Sequence, residues 1–539
     1  MVKAGVYLVV LLSYLCCYDG YKILVVFPIP TLSHGILGEG CVRLLLKAGH
    51  EVTYIAAMPL QDTHPNLTQI NINKKQESKI LKNITNFINP HLNTHFNFDP
   101  FHTSLNSTKT VLENEEVKRL ISDPKQIFDV LIIEWFFSEV LSGLSAVLHC
   151  PYIWLSSLNP HWMILELIDD VTSPAYVPSY NSLTAPPFTF QQRVTQLWYQ
   201  IRVYYFKHFQ YSIEEQKLYS LLIPFMSKRG RSTPISALED MRYNASLILS
   251  NCDAAMLAQA ISLPQNYKPV GGFHIEAQVK SLPNDLQKIM NNSKYGVIYF
   301  SIGSIVKSSE LPDNVKRELM KTFSELNQTV IWKYEDNEIN TLKNVHIRKW
   351  VPQQSVLSHP NCILFITHGG LLSITEAIYF GIPIIGIPLF SDQYQNVDKS
   401  VIKGFGKKVQ LSSMIAHDLK IAINEVLNNA SYLEKAKEQS RIYHDRIVSA
   451  GEELVHWVEH VVRTRGAPHL RSPAITLSFY QKLYLDLIGL VAVIFIIIAV
   501  IVLPVLHSYI ANNKIVKTNT IKTKNKKNNK IVNSQSLKK

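Results

Sequence analysis

The chain has 539 residues, of which 47% are hydrophobic, and this composition excludes a largely disordered protein. At about 100–200 residues per domain, the length predicts two or more domains. The net charge of +12 is concentrated at one end, because residues 511–539 contain nine lysines and no acidic residue. The preceding 510 residues carry 45 basic against 42 acidic side chains, or only +3. The excess charge therefore belongs to a tail, and we expect no nucleic acid partner.

The N-terminus has the pattern of a signal peptide. Lys3 precedes a 12-residue apolar stretch over residues 4–15, which is too short to span a bilayer, and small residues follow it. We therefore predict a signal peptide over residues 1–20. The alternative interpretation is a buried first strand.

The first half of the mature chain alternates short apolar runs with helical periodicity, as the strands and helices of a parallel sheet do. The glycines after the first run do not form the G-x-G-x-x-G dinucleotide fingerprint. Residues 61–125 predict loops and short helices, and the aromatic-rich residues 160–240 predict an irregular lining for an apolar pocket. The predicted elements are strands at 23–27, 51–55, 129–133 and 152–155, and helices at 36–47 and 135–148.

The same alternation returns near residue 296. The predicted elements there are a strand and turn over 297–304, strands at 329–334, 363–367 and 382–387, and helices at 311–326 and 372–380. We therefore predict an α/β protein with two Rossmann-like domains that face each other across a cleft. Their predicted bounds are 21–270 and 295–470, with a linker over 271–294. Ligands of such sheets bind beyond the carboxyl ends of the strands, so motifs in those loops carry the most weight.

A hydrophobic segment near the C-terminus has the length of a membrane span. Residues 487–506 carry no charged side chain and would cover about 30 Å as a helix. We predict a transmembrane helix over 484–507, with a basic cytosolic tail over 508–539, because lysines favour the cytosolic side. The body would then be lumenal, in a single-pass type I arrangement. A buried core helix is the alternative.

Two further patterns concern the compartment. The N-x-S/T acceptors for glycosylation all precede the predicted span and lie at Asn66, Asn83, Asn106, Asn244, Asn291, Asn327 and Asn429. Four cysteines, outside the predicted signal peptide, are scattered along the body, without metal-ligand spacing. They allow one disulfide but no disulfide framework, and we expect no metal site.

The strongest local motif is the segment 365–396, FITHGGLLSITEAIYFGIPIIGIPLFSDQYQN. A buried strand ends at His368, and Gly370 follows at the start of a helix, whose free N–H groups and dipole favour a phosphate. Glu376 lies two turns along that helix and could accept hydrogen bonds from ribose hydroxyls. After the next strand, Asp392 and Gln393 could bond the hydroxyls of a sugar.

At this point the chain resembles the UDP-glycosyltransferase family, over nearly its whole length. The segment 365–396 is similar to the family's nucleotide-sugar signature, although vertebrate members more often carry Asn-Gly at positions 372–373, which include Ser373. The upstream segment RKWVPQQSVLSHPNC is similar to the family's W-x-P-Q motif. The resemblance implies that Trp350 stacks on uracil, that Gln353 bonds the base edge, and that Ser304 lies near the diphosphate. It also implies a GT-B fold.

The resemblance places the catalytic groups on the first domain. His34 follows the first strand, in a loop that faces the cleft, and matches the family's general base; a histidine has a suitable pKa for this role. Its partner in the family is an acid at the end of the strand written FDVLIIE, which here is Glu134 where many relatives have Asp. Taken alone, a loop histidine is more often a surface or structural residue, and its match to the family base reverses that interpretation for His34. The alternative for Glu134 is a solvated acid at the end of a strand.

These features predict an inverting glycosyltransferase that moves a hexose, expected to be glucose, from a UDP-sugar to a hydroxyl of a small lipophilic acceptor. The UDP-sugar is a co-substrate, and no other cofactor is expected. UDP-glucuronate and UDP-galactose remain alternative donors. The rival functions are a hydrolase, which the absence of a G-x-S-x-G elbow disfavours, and a membrane-anchored binder without turnover. The resemblance, which is to the insect members of the animal membrane-bound branch, implies detoxification and the endoplasmic reticulum membrane. The sequence does not show the oligomeric state, which leaves a homo- or hetero-oligomer open.

Overall fold

The computed structural model describes residues 20–73, 99–168, 173–228, 237–257, 260–336, 342–412 and 414–535. Residues 1–19 of the predicted signal peptide and the acceptor Asn83 lie outside these ranges. The chain forms two compact units, residues 1–472 and residues 473–539. Everything that positions the site belongs to the first unit.

A seven-stranded parallel sheet organises the first half of the chain, in the order β3-β2-β1-β4-β5-β6-β7. Its central strands are mostly apolar and buried because helices cover both faces, as parallel sheets require; Glu134 of β4 is the buried exception. The strands are β1 Lys22–Phe27, β2 Glu51–Ala56, β3 Leu67–Asn71, β4 Val130–Trp135, β5 Tyr152–Ser156, β6 Leu247–Ser250 and β7 Tyr267–Pro269.

A six-stranded parallel sheet organises the second half, in the order β10-β9-β8-β11-β12-β13. The strand order of each sheet reverses at its first strand: β1 lies between β2 and β4, and β8 lies between β9 and β11. This reversal creates the crevice in which ligands of such sheets bind. The strands are β8 Val297–Ser301, β9 Thr329–Lys333, β10 Val345–Arg348, β11 Cys362–Thr367, β12 Ile384–Gly386 and β13 Gly406–Lys408.

Helices connect and cover the strands. Those associated with the first half are α1 Leu32–Lys47, α2 Pro100–Glu113, α3 Glu115–Ser122, α4 Gly143–Leu148, α5 Trp162–Glu166, α6 Phe190–Phe206, α7 Ser212–Ser220, α8 Ile223–Lys228 and α9 Leu238–Arg242. A π-helical turn, Lys207–Tyr211, joins α6 to α7. Those of the second half are α10 Asn284–Asn292, α11 Asp313–Ser324, α12 Gln353–Leu357, α13 Leu371–Phe380, α14 Gln393–Ile402, α15 Ile415–Asn428, α16 Ser431–His444 and α17 Ala450–Arg463.

Each sheet has its own hydrophobic core on each face, and α17 joins the core of the first sheet. Its buried Leu454 and Val458 pack in one cluster with Val25 of β1 and Leu45 of α1. The chain thus returns to the first domain after completing the second. The predicted domain bounds stay a prediction, and we propose that α17 belongs with the first domain although it falls within the predicted 295–470.

Each predicted strand lies within a few residues of an observed strand, but not every predicted helix lies so close to an observed helix. Helix α1 begins at Leu32, so the expected loop around His34 is wrong: this residue lies in the first helical turn. The predicted helix 135–148 is wrong over its first half, because β4 continues to Trp135 and helix α4 begins only at Gly143. Strands β3, β6, β7, β10 and β13 were not predicted.

The expectation of irregular structure over residues 160–240 is also wrong for its described residues. The segment forms α5 to α9, and the 17-residue α6 has a capping box at Thr189. Helix α6 leaves large apolar side chains exposed, including Phe190, Trp198 and Tyr205. Because these side chains do not follow a buried face, the usual helical periodicity is absent from the sequence.

The second unit consists mainly of a long helix, α19 Leu485–Gln535, preceded by the short α18 Phe479–Lys482. Over Leu485–Ile531 this helix is long and apolar enough to cross a membrane, with Pro504 inside it. Among the described residues, Cys41, Cys150, Cys252 and Cys362 are all buried and carry no disulfide. The disulfide that the sequence allowed is therefore not formed.

Candidate active site

A cavity of about 1610 Å³ is lined by residues that follow the central strands of both sheets. The carboxyl ends of β1 and β4 contribute one wall, and those of β8 and β11 contribute the opposite wall. All but one of the predicted site residues line it, namely His34, Ser304, Trp350, Gln353, His368, Gly370, Ser373, Glu376, Asp392 and Gln393. The remaining residue, Glu134, lies behind His34 and is 2% exposed.

The contact between His34 and Glu134 results directly from the strand order. Strands β1 and β4 are parallel neighbours, with Val26 opposite Ile133, so the residues that follow these positions reach the same edge of the sheet. The carboxylate Oε1 of Glu134 accepts from Nδ1 of His34. The ring of Phe136 stands edge-on to the imidazole, with 5.1 Å between ring centroids. The contact with Glu134 occupies Nδ1, and Nε2 is the ring nitrogen left for a further partner.

His368 lies between two glycines that make room for its ring. A Cβ on Gly303 would come within 2.7 Å of the imidazole, and a Cβ on Gly370 would come within 2.5 Å of Nε2. Gly303 also has a φ of +92°, which other residues rarely adopt. Burial and the charge of Lys333 lower the pKa of His368 to about 4. The side chain is therefore neutral near pH 7 and can donate one N–H to a ligand.

Lys333 is a residue of this site that the sequence analysis missed. It ends strand β9 and is 7% exposed, and its ammonium donates to the carbonyl of Gly303 at 2.9 Å and to Glu335 at 2.7 Å. It also lies 5.8 Å from the ring centre of Trp350, which is 54% exposed. A lysine near the end of the predicted strand 329–334, among apolar residues, was the available sequence signal. Its charge faces the part of the cavity next to His368 and Ser304.

Glu376 is surrounded by hydrogen-bond donors. Nε2 of Gln353 donates to Glu376 at 2.6 Å and to the hydroxyl of Ser373 at 3.2 Å. Nε2 of Gln354 donates to the other carboxylate oxygen at 3.3 Å, and His274 of the linker lies 3.4 Å away. The structure thus brings three predicted residues into one cluster. It adds Gln354 and His274, for which the sequence offered no separate signal.

Asp392 and Gln393 lie at the start of helix α14. Burial raises the pKa of Asp392, while the hydrogen bond from Asn396 at 2.7 Å and the charges of Lys399 and His34 oppose that rise. The oxygen of the Gln393 amide accepts from the backbone of residues 389 and 390, so its NH₂ group is the end available to a ligand. Both residues line the same cavity as His34.

The expected pocket lining from residues 160–240 is wrong for the described cavity, whose wall contains none of them. The first domain instead contributes residues near His34, Phe136 and Ser157, and helix α17 and the segment before it complete the rim. Within the described ranges, no group of three or more His, Cys, Asp or Glu side chains is placed to hold a metal ion.

Two facing Rossmann-like sheets with a shared cleft, joined by a helix that returns to the first domain, have the GT-B glycosyltransferase fold. A plant glycosyltransferase, Phytolacca americana UGT2 complexed with UDP-2fluoro-glucose and pterostilbene, superposes with a TM-score of 0.54 at 16% identity, covering 82% of this chain and all of that one. The calicheamicin glycosyltransferase CalG4 gives 0.51 at 15% identity, covering 83% of this chain and all of that one.

The chain belongs to the UDP-glucoronosyl and UDP-glucosyl transferase family, whose profile matches residues 22–521. It is similar to UDP-glucosyltransferase 2 of Dactylopius coccus, at 29% identity over 92% of this chain and 95% of the relative. It is also similar to human UDP-glucuronosyltransferase 2B7, at 33% identity over 71% of this chain and 70% of the relative. The protein is therefore a glycosyltransferase that uses a UDP-sugar as donor, and the resemblance noted from the sequence is confirmed.

Proposed function

We propose that the protein transfers glucose from UDP-glucose, with inversion, to a hydroxyl of a small lipophilic acceptor. The observation that carries this proposal is the contact between His34 and Glu134 on the wall of a cavity shared by both domains. An imidazole held by a buried carboxylate is the arrangement of a general base. The opposite wall offers the donors and the positive charge that a nucleoside diphosphate requires.

In the proposed reaction, Nε2 of His34 takes the proton of the acceptor hydroxyl. The hydroxyl oxygen attacks C1 of the sugar from the side opposite UDP, and the bond between C1 and the phosphate oxygen breaks. UDP leaves with the bonding electron pair, and the product is a β-glycoside. Glu134 stabilises the imidazolium that forms, because its carboxylate remains in contact with Nδ1.

The donor is held by the second domain in this proposal. His368, the N-terminal N–H groups of α13 after Gly370, and Ser304 bind the diphosphate, and Lys333 adds the charge that stabilises it as a leaving group. Trp350 stacks on the uracil. Gln353 and Ser373 bond the base edge and its surroundings, and Glu376 accepts from the ribose hydroxyls.

Asp392 and Gln393 bind the hydroxyls of the transferred sugar. The similarity to an insect enzyme named as a glucosyltransferase, over 92% of this chain, favours glucose as that sugar. The similarity to a human enzyme named as a glucuronosyltransferase, over 71% of this chain, favours glucuronate as the second candidate. UDP-galactose is the third donor to be compared.

A donor-by-acceptor matrix on the membrane fraction tests this function. UDP-glucose, UDP-glucuronate and UDP-galactose are each incubated with a panel of phenols and alcohols, and both UDP release and glycoside formation are measured. Glucoside with stoichiometric UDP supports the proposal. UDP release without glycoside would indicate hydrolysis of the donor. No UDP release with intact UDP binding would indicate a binding protein without turnover. Glucuronide as the only product would show that the donor is UDP-glucuronate.

The role of the base is tested by substitution. His34→Ala should abolish glycoside formation while the Kd for UDP stays within about twofold, because the imidazole does not contact the nucleotide in this proposal. His417→Ala, an exposed histidine on α15, is the matched control. Wild-type turnover in His34→Ala would show that another group is the base.

We also propose that α19 anchors the protein in the endoplasmic reticulum membrane, with the body lumenal and the basic tail cytosolic. The lysines after the apolar segment support this orientation. Protease treatment of sealed microsomes should remove only an epitope fused to the C-terminus. Protection of that epitope would show the opposite orientation in the membrane.

A further inference from the structure

The two domains are joined beside the sugar-binding residues by a chain of side-chain hydrogen bonds. Asn159, which follows strand β5 of the first domain, donates through Nδ2 to Oδ1 of Asn396 at 3.0 Å. Asn396 lies in the first turns of α14, and its own Nδ2 donates to Asp392 at 2.7 Å and to the carbonyl of Gly369 at 3.1 Å. One amide therefore contacts the first domain, the sugar-binding carboxylate and the loop before α13.

The orientation of this central amide is fixed by its partners. A rotation of Asn396 by half a turn would set its oxygen against the carboxylate of Asp392 and its NH₂ against the NH₂ of Asn159. The oxygen of Asn396 and the carboxylate would then be two acceptors, and the two NH₂ groups would be two donors, so neither pair could form a hydrogen bond. Asn396 is 2% exposed, so a lost partner is not replaced by bulk water.

The same helical turn makes a second contact with the first domain. Gln395, which is 4% exposed, donates through Nε2 to the carbonyl of Ser179. Asp392 makes no capping bond to the backbone of α14, although it occupies the N-cap position. Its carboxylate is therefore held by Asn396, and Asn396 is held in turn by the first domain.

We propose that Asn159 and Asn396 are positioning residues that couple contact between the domains to the grip on the transferred sugar. The proposal rests on the assignment of Asp392 as a sugar ligand. When the domains meet, Asn159 fixes the amide of Asn396, and this amide holds the carboxylate of Asp392 toward the sugar hydroxyls. UDP alone lacks the sugar, so its affinity does not depend on this chain of bonds.

The test uses the full-length protein in membranes and compares Asn159→Ala and Asn159→Asp with Asn73→Ala, an exposed asparagine of the same domain. Asn159→Asp keeps the shape but removes the donor. We expect kcat/KM for UDP-glucose to fall about tenfold in both variants, the size of one hydrogen bond left unmade in a buried site. The inhibition constant of UDP should stay within about twofold.

A double-mutant cycle completes the test. In an Asn396→Ala background, Asn159→Ala should lower kcat/KM by less than about twofold further, because its partner is already absent. An equal loss of UDP affinity would overturn the proposal by showing general damage to the donor site, and so would an unchanged kcat/KM in Asn159→Ala. If the wild type transfers no sugar, the proposed function is wrong. This result differs from a loss of UDP affinity and from an unchanged kcat/KM in the variant, which concern only the role of Asn159.

Discussion

Substitution of Glu134 gives the most direct test of the proposed base. The carboxylate is 2% exposed, its Oε1 contacts Nδ1 of His34, and its Oε2 has no hydrogen-bond partner among the described residues. A hydrogen bond to a charged partner contributes about 1.5–3 kcal/mol. Because the imidazole becomes charged in the reaction, this contribution is expected mainly in the transition state.

At about 1.4 kcal/mol per factor of ten, that range predicts a decrease in kcat of about 10- to 150-fold for Glu134→Gln. The effect should lie toward the upper end, because the NH₂ of glutamine can donate to Nδ1 and so stabilise the tautomer whose Nε2 already carries a proton. Glu134→Asp retains the charge at a greater distance and should decrease kcat by less. The assay is steady-state turnover at saturating donor and acceptor.

Three controls separate catalysis from folding in this series. The UDP affinity of Glu134→Gln should equal that of the wild type, since the residue does not line the cavity. Its thermal unfolding midpoint should not fall, because the substitution removes a buried charge with an unpaired oxygen. Glu116→Gln, an exposed glutamate on α3, should behave as the wild type. A kcat within twofold of the wild type in Glu134→Gln would refute the dyad.

Three further predictions concern other parts of the chain. The pKa of His368 is about 4 in the folded protein against 6.5 ordinarily, so the unfolded chain takes up a proton first as pH falls. The thermal unfolding midpoint should therefore decrease as the pH is lowered from 6.5 to 4, and it should decrease less steeply in His368→Asn. The same dependence of the midpoint on pH in both proteins would contradict the lowered pKa of His368. Trp350→Ala should weaken UDP binding about tenfold while Trp350→Phe retains most of it, by titration, because stacking contributes about 1–3 kcal/mol per base; equal losses would exclude stacking. A chain ending at residue 472 should leave the carbonate-resistant membrane fraction, and its retention there would show a second anchor.

Most strands could be predicted because buried parallel strands appear as continuous apolar runs. Strands β1, β4, β8 and β11 each follow this pattern, and their ends carry most of the site. Helix starts were less predictable. Thr31, at the N-cap of α1, makes no side-chain capping bond, so nothing local marks a helix that already includes His34. Helix α6 was not predicted because its apolar residues are exposed and do not show the helical periodicity of a buried face.

The candidate site was predictable where one segment carries several of its residues. The segment 365–396 places His368, Glu376 and Asp392 at spacings that a strand-helix-strand unit converts into one wall of a cavity. Lys333, Gln354 and Asn396 were missed as site residues. Gln354 contacts Glu376 and His274, and Asn396 contacts Asn159, and a single sequence does not show such distant partners. Lys333 offered only its position at the end of a predicted strand.

The fold class and the family could be predicted from the sequence alone, because they depend on local periodicity and on motifs of fixed spacing. The same motifs carry most of the candidate donor-binding residues. Contacts between side chains of different elements depend on the tertiary structure. His34 reaches Glu134, 100 residues away, because β1 and β4 are neighbours in the sheet. Asn159 reaches Asn396, 237 residues away, because the two domains face each other. Hydrogen bonds require partners within about 3 Å, and chain order does not specify such distances between separate elements.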